Sequence, residues 1–242
     1  FSGANREDRI NTLKILKKES DSDVVLYGYD DNEYKVEFNP HTDDQAAFMF
    51  HELVNDRYIP FRNTVKGLQE SLSANWTDVN YIGRSDKLFN YTGFSRSLSF
   101  NFTVVAMSVK ELLPMWIKIN YLSSIVKPSK YIGDGSIIVP PMTTLTIGDL
   151  YQSQPIVIKS VTISIPEDAL WETSSEKVST DTDWSFLNEK MEWKNSYGKY
   201  AQFPMECNIS ISGELLEKEL PKMGGQNFGG TGKFSENLQI SI

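Results

Sequence analysis

Four segments of the chain alternate between apolar residues and small, uncharged polar residues. Because successive side chains of a strand point to opposite faces of a sheet, each segment is predicted to be a half-buried antiparallel strand. The apolar sets are Leu68, Leu72, Ala74 and Trp76; Leu98, Phe100, Phe102 and Val104; Val161, Ile163 and Ile165; and Met205, Cys207, Ile209 and Ile211. The polar sets are Gln69, Ser71, Ser73, Asn75 and Thr77; Ser97, Ser99, Asn101 and Thr103; Ser160, Thr162 and Ser164; and Glu206, Asn208, Ser210 and Ser212.

These polar faces hold a single carboxylate, Glu206, and no lysine or arginine. A solvated sheet face usually carries Lys and Glu among its polar residues. Hydroxyl and amide side chains suit a wall that lies beside a charged molecule without holding it. Plain solvation is the alternative for any one face, since Thr has real β propensity and Ser is common on exposed strands. The presence of four such faces in one chain favours the first interpretation, a wall beside a charged molecule, over plain solvation.

A helix and a hairpin are predicted before the alternating strands. Residues 6–18 have apolar positions at helical spacing and a basic end, which favours a short amphipathic helix. Residues 24–29 and 34–38 flank an acidic, turn-rich tetrad and form a predicted β-hairpin. Residues 39–55 show no regular pattern.

The central part of the chain is predicted to be a long β-hairpin followed by a helix. Residues 68–82 and 89–106 are the two strands. Ser108 and Glu111 are spaced as a capping box at the start of the helix. Pro114 falls in its second turn and is predicted to kink the helix or to move its start later.

The remaining pattern predicts a loop over residues 133–141 and strands over residues 143–147, 155–165 and 205–214. The apolar face of the second of these strands switches near Lys159, which indicates a β-bulge.

Three regions are therefore expected. Residues 1–57 form an N-terminal extension, residues 58–220 form a β domain with an insertion at 172–203, and residues 221–242 form a glycine-rich arm. The fold class is mainly β with a flanking helix, an α+β arrangement. A chain of 242 residues is long enough to bury a sizeable core without a second domain.

The arm ends in an alternating apolar set. Its glycines give flexible reach, and an alternating end suits strand addition on a neighbouring molecule. The residues predicted to make this contact between subunits are Leu238, Ile240 and Ile242.

Composition excludes some functions. The formal net charge of −8 argues against a surface that grips nucleic acid through phosphates. The sequence has no signal-peptide pattern and no apolar run of about 18 residues, so a soluble protein made inside the cell, without membrane contact, is expected. Phe1 stands where an initiator Met is usual, which suggests processing or a preceding head segment.

No catalytic or metal-binding pattern is evident. The sequence lacks a G-x-S-x-G elbow, a P-loop and a G-x-G-x-x-G turn. His41 and His51 have no supporting ligand pattern, and Cys207 falls on an apolar strand face. We therefore expect no enzyme, no catalytic residue, no cofactor and no metal. A carboxylate pair brought together from different strands, as in glycosidases, is the open alternative.

Five runs of the sequence carry a resemblance. They are NWTDVNYIGR (75–84), YTGFSRSLSFNF (91–102), ELLPMWIKINYL (111–122), LTIGD (145–149) and ISIPEDALWE (163–172). Together they resemble the tail-tube-associated baseplate proteins of contractile-tailed bacteriophages. The resemblance implies a tail-tube-like fold of two packed antiparallel sheets, a long β-hairpin and a flanking helix. It also implies a hexameric ring whose inner strands merge into one barrel around a DNA channel.

On this resemblance the chain is expected to be a structural virion protein of a phage baseplate, assembled in the host cytoplasm. It would join the central hub to the tail tube, with copies of itself, the hub and the tube or an adjacent junction ring as partners. DNA would pass through the ring without specific binding. The residues expected to face the channel are Gln69, Ser71, Ser73, Asn75, Ser97, Ser99, Asn101 and Thr103.

Two alternatives are open, of which the first is closely related and the second comes from another class. A bulk tail tube subunit would share the fold but would stack in many layers. A tail-tip β domain that binds a ligand or acts on the cell wall would require a cleft with polar or carboxylate side chains.

Overall fold

A computed structural model describes residues 9–12, 15–18, 26–29, 35–38, 46–62, 65–83, 85–132, 137–172, 202–218, 220–223 and 227–228. Its helices are α1 (Arg9–Thr12) and α2 (Val109–Ser124). Its strands are β1 (Lys17–Lys18), β2 (Leu26–Tyr29), β3 (Lys35–Phe38), β4 (Phe48–Glu52), β5 (Arg57–Pro60), β6 (Lys66–Val79), β7 (Leu88–Val105), β8 (Lys130–Ile132), β9 (Ile137–Val139), β10 (Thr143–Ile147), β11 (Tyr151–Ser164) and β12 (Glu206–Leu215).

The protein is mainly β, and its largest unit is a seven-stranded antiparallel sheet in the order β5-β4-β10-β11-β12-β7-β6. This sheet curls on itself. Strands β4 and β7 are four places apart in that order, about 19 Å in a flat sheet. The ring centroids of Phe48 on β4 and Phe102 on β7 are nevertheless only 4.9 Å apart. The core lies inside the curl, where Phe50, Phe61 and Phe100 surround this pair.

The expectation of two separate packed sheets is corrected by this topology. The strands that face each other across the core belong to one continuous hydrogen-bonded sheet. Strands β1-β2-β3 form a second, three-stranded sheet, and β8-β9 form a two-stranded sheet. The predicted long hairpin is confirmed as β6–β7, which has a register shift beside Gly93. The bulge predicted near Lys159 is also confirmed, by a shift between Ile158 and Ser160.

Two of the four apolar sets form the core as predicted. The inward residues of β7 and β12, from Leu98 to Val104 and from Cys207 to Ile211, are buried. The other two sets are less buried than predicted. Leu72 and Trp76 on β6 and Ile163 on β11 are exposed, because these parts of the sheet extend beyond the body that covers its centre.

Helix α2 closes the open side of the curl with Leu112, Met115 and Ile119. Its predicted capping box does not form as expected, since the hydroxyl of Ser108 makes no cap hydrogen bond. The carboxylate of Glu111 instead accepts a hydrogen bond from the Met107 backbone N–H at 3.1 Å. The helix begins at Val109 with Pro114 inside it, so its start is not displaced by the proline.

The structure of the N-terminal region differs in part from the prediction made from its sequence. Within the predicted helix over residues 6–18, the described helical turn is α1, and Leu16 instead pairs in a β-bridge with Tyr58. Tertiary contacts fix this segment, because the Lys118 ammonium donates to the Ile10 carbonyl at 2.8 Å and to the Pro60 carbonyl at 3.1 Å. The predicted hairpin over residues 24–38 is confirmed by the pairing of β2 with β3.

Several short strands were not predicted from the sequence. Strand β4 lies in the segment predicted to be irregular, and it is part of the main sheet. Strand β9 lies in the predicted loop over residues 133–141 and pairs antiparallel with β8, which ends just before that loop. In the predicted insertion, residues 173–201 lie outside the described residues.

Candidate functional site

The four polar faces predicted from the sequence lie on neighbouring strands and form one surface. The strand order β11-β12-β7-β6 places them side by side. Ser99 is in register with Gln69 on one side and Ser212 on the other, and Ser212 is in register with Ser160. We call this surface the polar wall. Its residues are Gln69, Ser71, Ser73, Asn75, Ser97, Ser99, Asn101, Thr103, Asn208, Ser210, Ser212, Ser160, Thr162 and Ser164.

Hydroxyl groups of the polar wall bond to their lateral neighbours. The Ser160 and Ser212 hydroxyl oxygens are 2.7 Å apart, and the Thr103 hydroxyl donates to Asn208 Oδ1 at 2.6 Å. The hydroxyl of Ser73 lies 2.8 Å from that of Ser95 in the hairpin. Because these groups satisfy one another across the strands, the surface is wettable without requiring a bound ligand.

Charged residues occur at the margins of the polar wall. Glu214 follows Ser212 on the same face of β12, and its carboxylate accepts from the Lys159 ammonium at 2.5 Å. Glu206 begins β12 at the other end, opposite Val105. Lys66 lies opposite Asn101 at the start of β6. The interior of the wall is therefore uncharged, and its ionic groups form a rim.

All eight residues predicted to face a channel lie on this surface. They supply the β6 and β7 part of it, and β11 and β12 supply the rest. The alternation of polar and apolar residues over 160–164 and 208–212 indicated in the sequence the part of the wall that β11 and β12 supply. The predicted arm residues Leu238, Ile240 and Ile242 lie outside the described residues.

The polar wall ends in two strand edges. Among the described residues, β6 hydrogen-bonds to β7 on one side and to no strand on the other. Strand β11 pairs with β10 only as far as Ile156, so residues 157–164 pair on one side with β12. We call these the β6 edge and the β11 edge. Three successive antiparallel pairings separate them, so the two edges run in opposite directions.

The reverse side of the sheet is apolar and partly uncovered near both edges. Under β7 and β12 this side is the buried core. Under β6, however, Leu72 is 51% and Trp76 58% exposed, and under β11 Ile163 is 38% and Ile165 43% exposed. Large apolar side chains grouped in this way usually mark contact with another protein surface.

A buried polar cluster lies at the base of the β6–β7 hairpin. Arg96 points inward from β7, and its guanidinium donates to Glu70 of β6, to Glu217 at 3.2 Å and to the Asn227 carbonyl at 2.6 Å. The Tyr151 hydroxyl donates to the second oxygen of Glu70. Burial, and then the hydrogen bond to Glu70, raise the pKa of Tyr151. Burial by itself lowers the pKa of Arg96, but Glu70 and Glu217 reverse that effect and raise it.

This cluster fastens the first part of the predicted C-terminal arm to the sheet. The Phe228 ring packs on Tyr151, with centroids 6.0 Å apart, and lies 5.8 Å from the Arg96 guanidinium carbon. Leu72 is the register partner of Arg96 on β6. The arm predicted to begin at residue 221 therefore includes residues that pack on the core.

Other titratable side chains have structural partners. His51 lies 2.8 Å from Asp56 Oδ1 and stacks on Tyr58 with ring centroids 3.8 Å apart. Burial raises the pKa of the Cys207 thiol to about 11. In the part of the chain that the structure describes, no three His, Cys, Asp or Glu side chains group closely enough to hold a metal ion. His41 lies outside that part.

No protein-family model matches this chain, and no curated protein matches it. Neither described helix has both the length and the apolar character needed to cross a bilayer.

Proposed function

We propose that the chain is a structural ring subunit of a phage baseplate, which joins the central hub to the tail tube and lines the conduit through which DNA leaves. The observation that carries this proposal is the polar wall, a four-strand surface that is uncharged except at its rim. Each cationic contact to phosphate adds salt-dependent affinity. A conduit wall of hydroxyl and amide groups lets DNA pass without holding it.

The two strand edges support closure into a ring. They run in opposite directions, so the β6 edge of one copy can pair antiparallel with the β11 edge of the next copy. Repetition of this head-to-tail contact continues the polar wall from copy to copy and covers both edges. The same pairing joins the underside of β6, with Leu72 and Trp76, to the underside of β11, with Ile163 and Ile165.

The size of such a ring fits the proposed cargo. Six copies with four wall strands each give a barrel of about 24 strands. At about 4.8 Å between neighbouring strands, its backbone diameter is about 37 Å before strand tilt widens it further. This leaves room for a DNA duplex. The net charge of −8 on each copy also opposes adhesion of the phosphate backbone.

The direct test is to place cations on the wall. Ser99→Lys with Asn101→Lys should leave the subunit folded, because exposed strand substitutions cost little. Particles that carry this variant should assemble and then eject DNA more slowly, most clearly at low salt. Asn120→Lys with Tyr131→Lys adds the same charge at exposed positions away from the wall and serves as the control.

Three outcomes would count against the proposal. Normal ejection at low salt by the wall variant means that these residues face elsewhere. Equal slowing by the control pair means that total charge, and not the wall, is responsible. Electron microscopy that finds the protein in many stacked layers assigns it to the bulk tail tube rather than to a junction ring.

A further inference from the structure

We infer that the tip of the β6–β7 hairpin packs on the β8–β9 hairpin of a second copy of this chain. The tip comprises residues 76–83 and 85–91, and we call β8 with β9 the small hairpin. The inference rests on the proposed function, because the pairing of the β6 edge with the β11 edge brings the two hairpins together. It goes further by naming the apolar side chains that hold the contact.

The tip is apolar on both faces. Trp76 and Tyr91 are register partners on the underside, and their ring centroids are 5.1 Å apart. Phe89 lies two residues from Tyr91 and shares that face. Val79 and Leu88 are register partners on the opposite face. Each of these five residues is more than two-fifths exposed.

The tip extends beyond the strands that support the rest of the hairpin. The last register pair between β12 and β7 is Glu214 with Ser97. Residues 88–96 therefore pair with β6 alone in the described part of the chain. A two-stranded ribbon is only marginally stable in water by itself. Since large apolar side chains grouped on a surface mark contact with another protein, the tip is expected to be covered by a partner.

The small hairpin has the same character. Tyr131 and Ile138 are register partners on one face, and Ile132 and Ile137 are register partners on the other. All four residues are about half exposed or more. Among the described strands, β8 and β9 pair only with each other. The small hairpin is therefore a second two-stranded ribbon with uncovered apolar faces.

The small hairpin leaves the main sheet where the β11 edge begins. The last register pair between β10 and β11 is Thr143 with Ile156, so the edge starts at Val157. Just before Thr143 the chain contains two prolines, at positions 140 and 141, which have no N–H to donate to a strand ladder. Val139, the end of β9, is four residues from Thr143 and thus at most about 14 Å away.

A neighbouring β6 brings its tip to the same place. Residue numbers along β6 rise as those along β11 fall, because the two strands are antiparallel in the proposed pairing. The hairpin tip of one copy therefore points toward Val157 of the next. Residues 157–164 form a shorter segment than β6, which spans residues 66–79. When the whole edge is paired, the end of β6 reaches the level of Val157 or passes it, and the tip meets the small hairpin.

The exposed area fits a specific contact. An aromatic side chain can bury about 150–250 Å². Trp76, Phe89, Tyr91 and Tyr131 are each more than half exposed, so together they offer about 350–600 Å². A standard interface buries about 1,600 Å² in total. These four residues would supply about a quarter to a third of it, and the aliphatic residues and the paired edges would supply much of the rest.

The experiment is a mixing test by analytical ultracentrifugation of the purified full chain. Phe89→Glu places a charge on the tip, and Ile138→Glu places one on the small hairpin. Both positions are exposed, so the subunit itself should stay folded. The native chain should self-associate. Either variant alone should require at least about tenfold higher concentration, because every contact would then bury a charge.

An equimolar mixture of the two variants identifies the occupant. It contains one intact combination, the tip of the chain with Ile138→Glu and the small hairpin of the chain with Phe89→Glu. Dimers should therefore return at the concentrations at which the native chain associates. Larger species should not form, because head-to-tail growth stops after one contact. Met223→Glu adds the same charge at an exposed apolar residue outside both hairpins and should associate like the native chain.

Several results would overturn the inference. A native chain that stays monomeric up to about 1 mM lacks the contact. Unchanged association of either variant, or a mixture without dimers, places the contact elsewhere. If Phe89→Glu lowers the thermal midpoint by more than about 5 °C and leaves association unchanged, the subunit's own chain covers the tip. If a glutamate variant loses the native circular dichroism spectrum, Phe89→Ser and Ile138→Ser repeat the test.

The proposed ring has a separate readout. If the mixed variants form dimers but electron microscopy of native assemblies finds open chains, the contact stands and the ring fails. If native rings form and both variants join them as readily as the native chain does, the ring stands and the contact between the hairpins fails.

Discussion

Removal of the guanidinium at Arg96 tests how the base of the long hairpin is held. Its side chain is 1% exposed and that of Glu70 is 9% exposed, so both charges lie largely out of water. Arg96→Met removes the donors to Glu70, Glu217 and the Asn227 carbonyl. The carboxylate of Glu70 then keeps only the Tyr151 hydroxyl among the partners described above.

The expected loss follows from this geometry. Breaking a buried ion pair by removing one partner costs about 3–5 kcal/mol, because the remaining charge stays buried without compensation. A domain of this kind has about 5–15 kcal/mol of total stability. Arg96→Met should therefore lower the free energy of unfolding by about 3 kcal/mol or more.

Three related variants separate the causes of this loss. Arg96→Lys keeps the charge but lacks the planar fork that serves several acceptors at once, so most of the loss should remain. Arg96→Met combined with Glu70→Leu removes both charges, and much of the lost stability should return. Glu217→Gln affects a carboxylate that is 21% exposed, and its cost should be about 1 kcal/mol or less.

Urea unfolding followed by circular dichroism and tryptophan fluorescence measures these differences. The slope against urea should stay constant, so that a shifted midpoint reports stability alone. The reasoning is refuted if Arg96→Met loses less than about 1 kcal/mol, or if the double variant is no more stable than the single one.

One further prediction concerns packing in the core, and another concerns the titration of Tyr121. Phe102→Ala should destabilise the protein by about 3–5 kcal/mol, because it leaves a cavity among packed rings. Trp76→Ala, at an exposed site, should cost less than about 1 kcal/mol in the same urea assay. Equal losses would contradict the assignment of Phe102 to the core and of Trp76 to the exposed underside. Burial, and then the charge of Glu52, raise the pKa of Tyr121 from its ordinary value of 10.0 to about 12. The folded state therefore holds this proton more tightly than the unfolded state, so stability is full below pH 10 and falls as pH rises toward 12. Tyr121→Phe should flatten that fall in unfolding curves measured across the interval, and an unchanged slope would contradict the assignment.

The two-residue alternation located the wall because it reports which side chains share a face. Residues 97–103 and 208–212 needed no tertiary information, since a strand with one apolar face has one stable orientation against a core. The position of the four faces relative to one another depends on the order of the strands in the sheet, and alternation within one strand does not encode that order. The pattern therefore identified four faces, and the pairing of β12 with both β7 and β11 made them one surface.

The missed elements are those whose conformation depends on distant partners. Strand β4 has the sequence FMFHE, in which Met49 breaks any apolar alternation, and it forms a strand because β5 and β10 pair with it on both sides. Leu16 was assigned to a helix by its spacing, but its backbone pairs with Tyr58. Arg96 and Glu70 interrupt apolar strand faces, and no local rule indicated that they pair with each other and with the C-terminal segment.

The absence of charge along the polar wall has a cost at its edges. Edge strands of soluble proteins usually carry lysines or other charges that prevent pairing with a second molecule. On β6 the charged residues are Lys66, Glu70 and Asp78, and Glu70 is turned inward to Arg96. Residues 71–77, SLSANWT, are therefore an uncharged amphipathic window of the kind that promotes strand addition. In the proposed ring the wall cannot use lysines for this protection, because lysines would hold the phosphates of DNA, and the β11 edge of the neighbouring copy would cover the β6 edge instead.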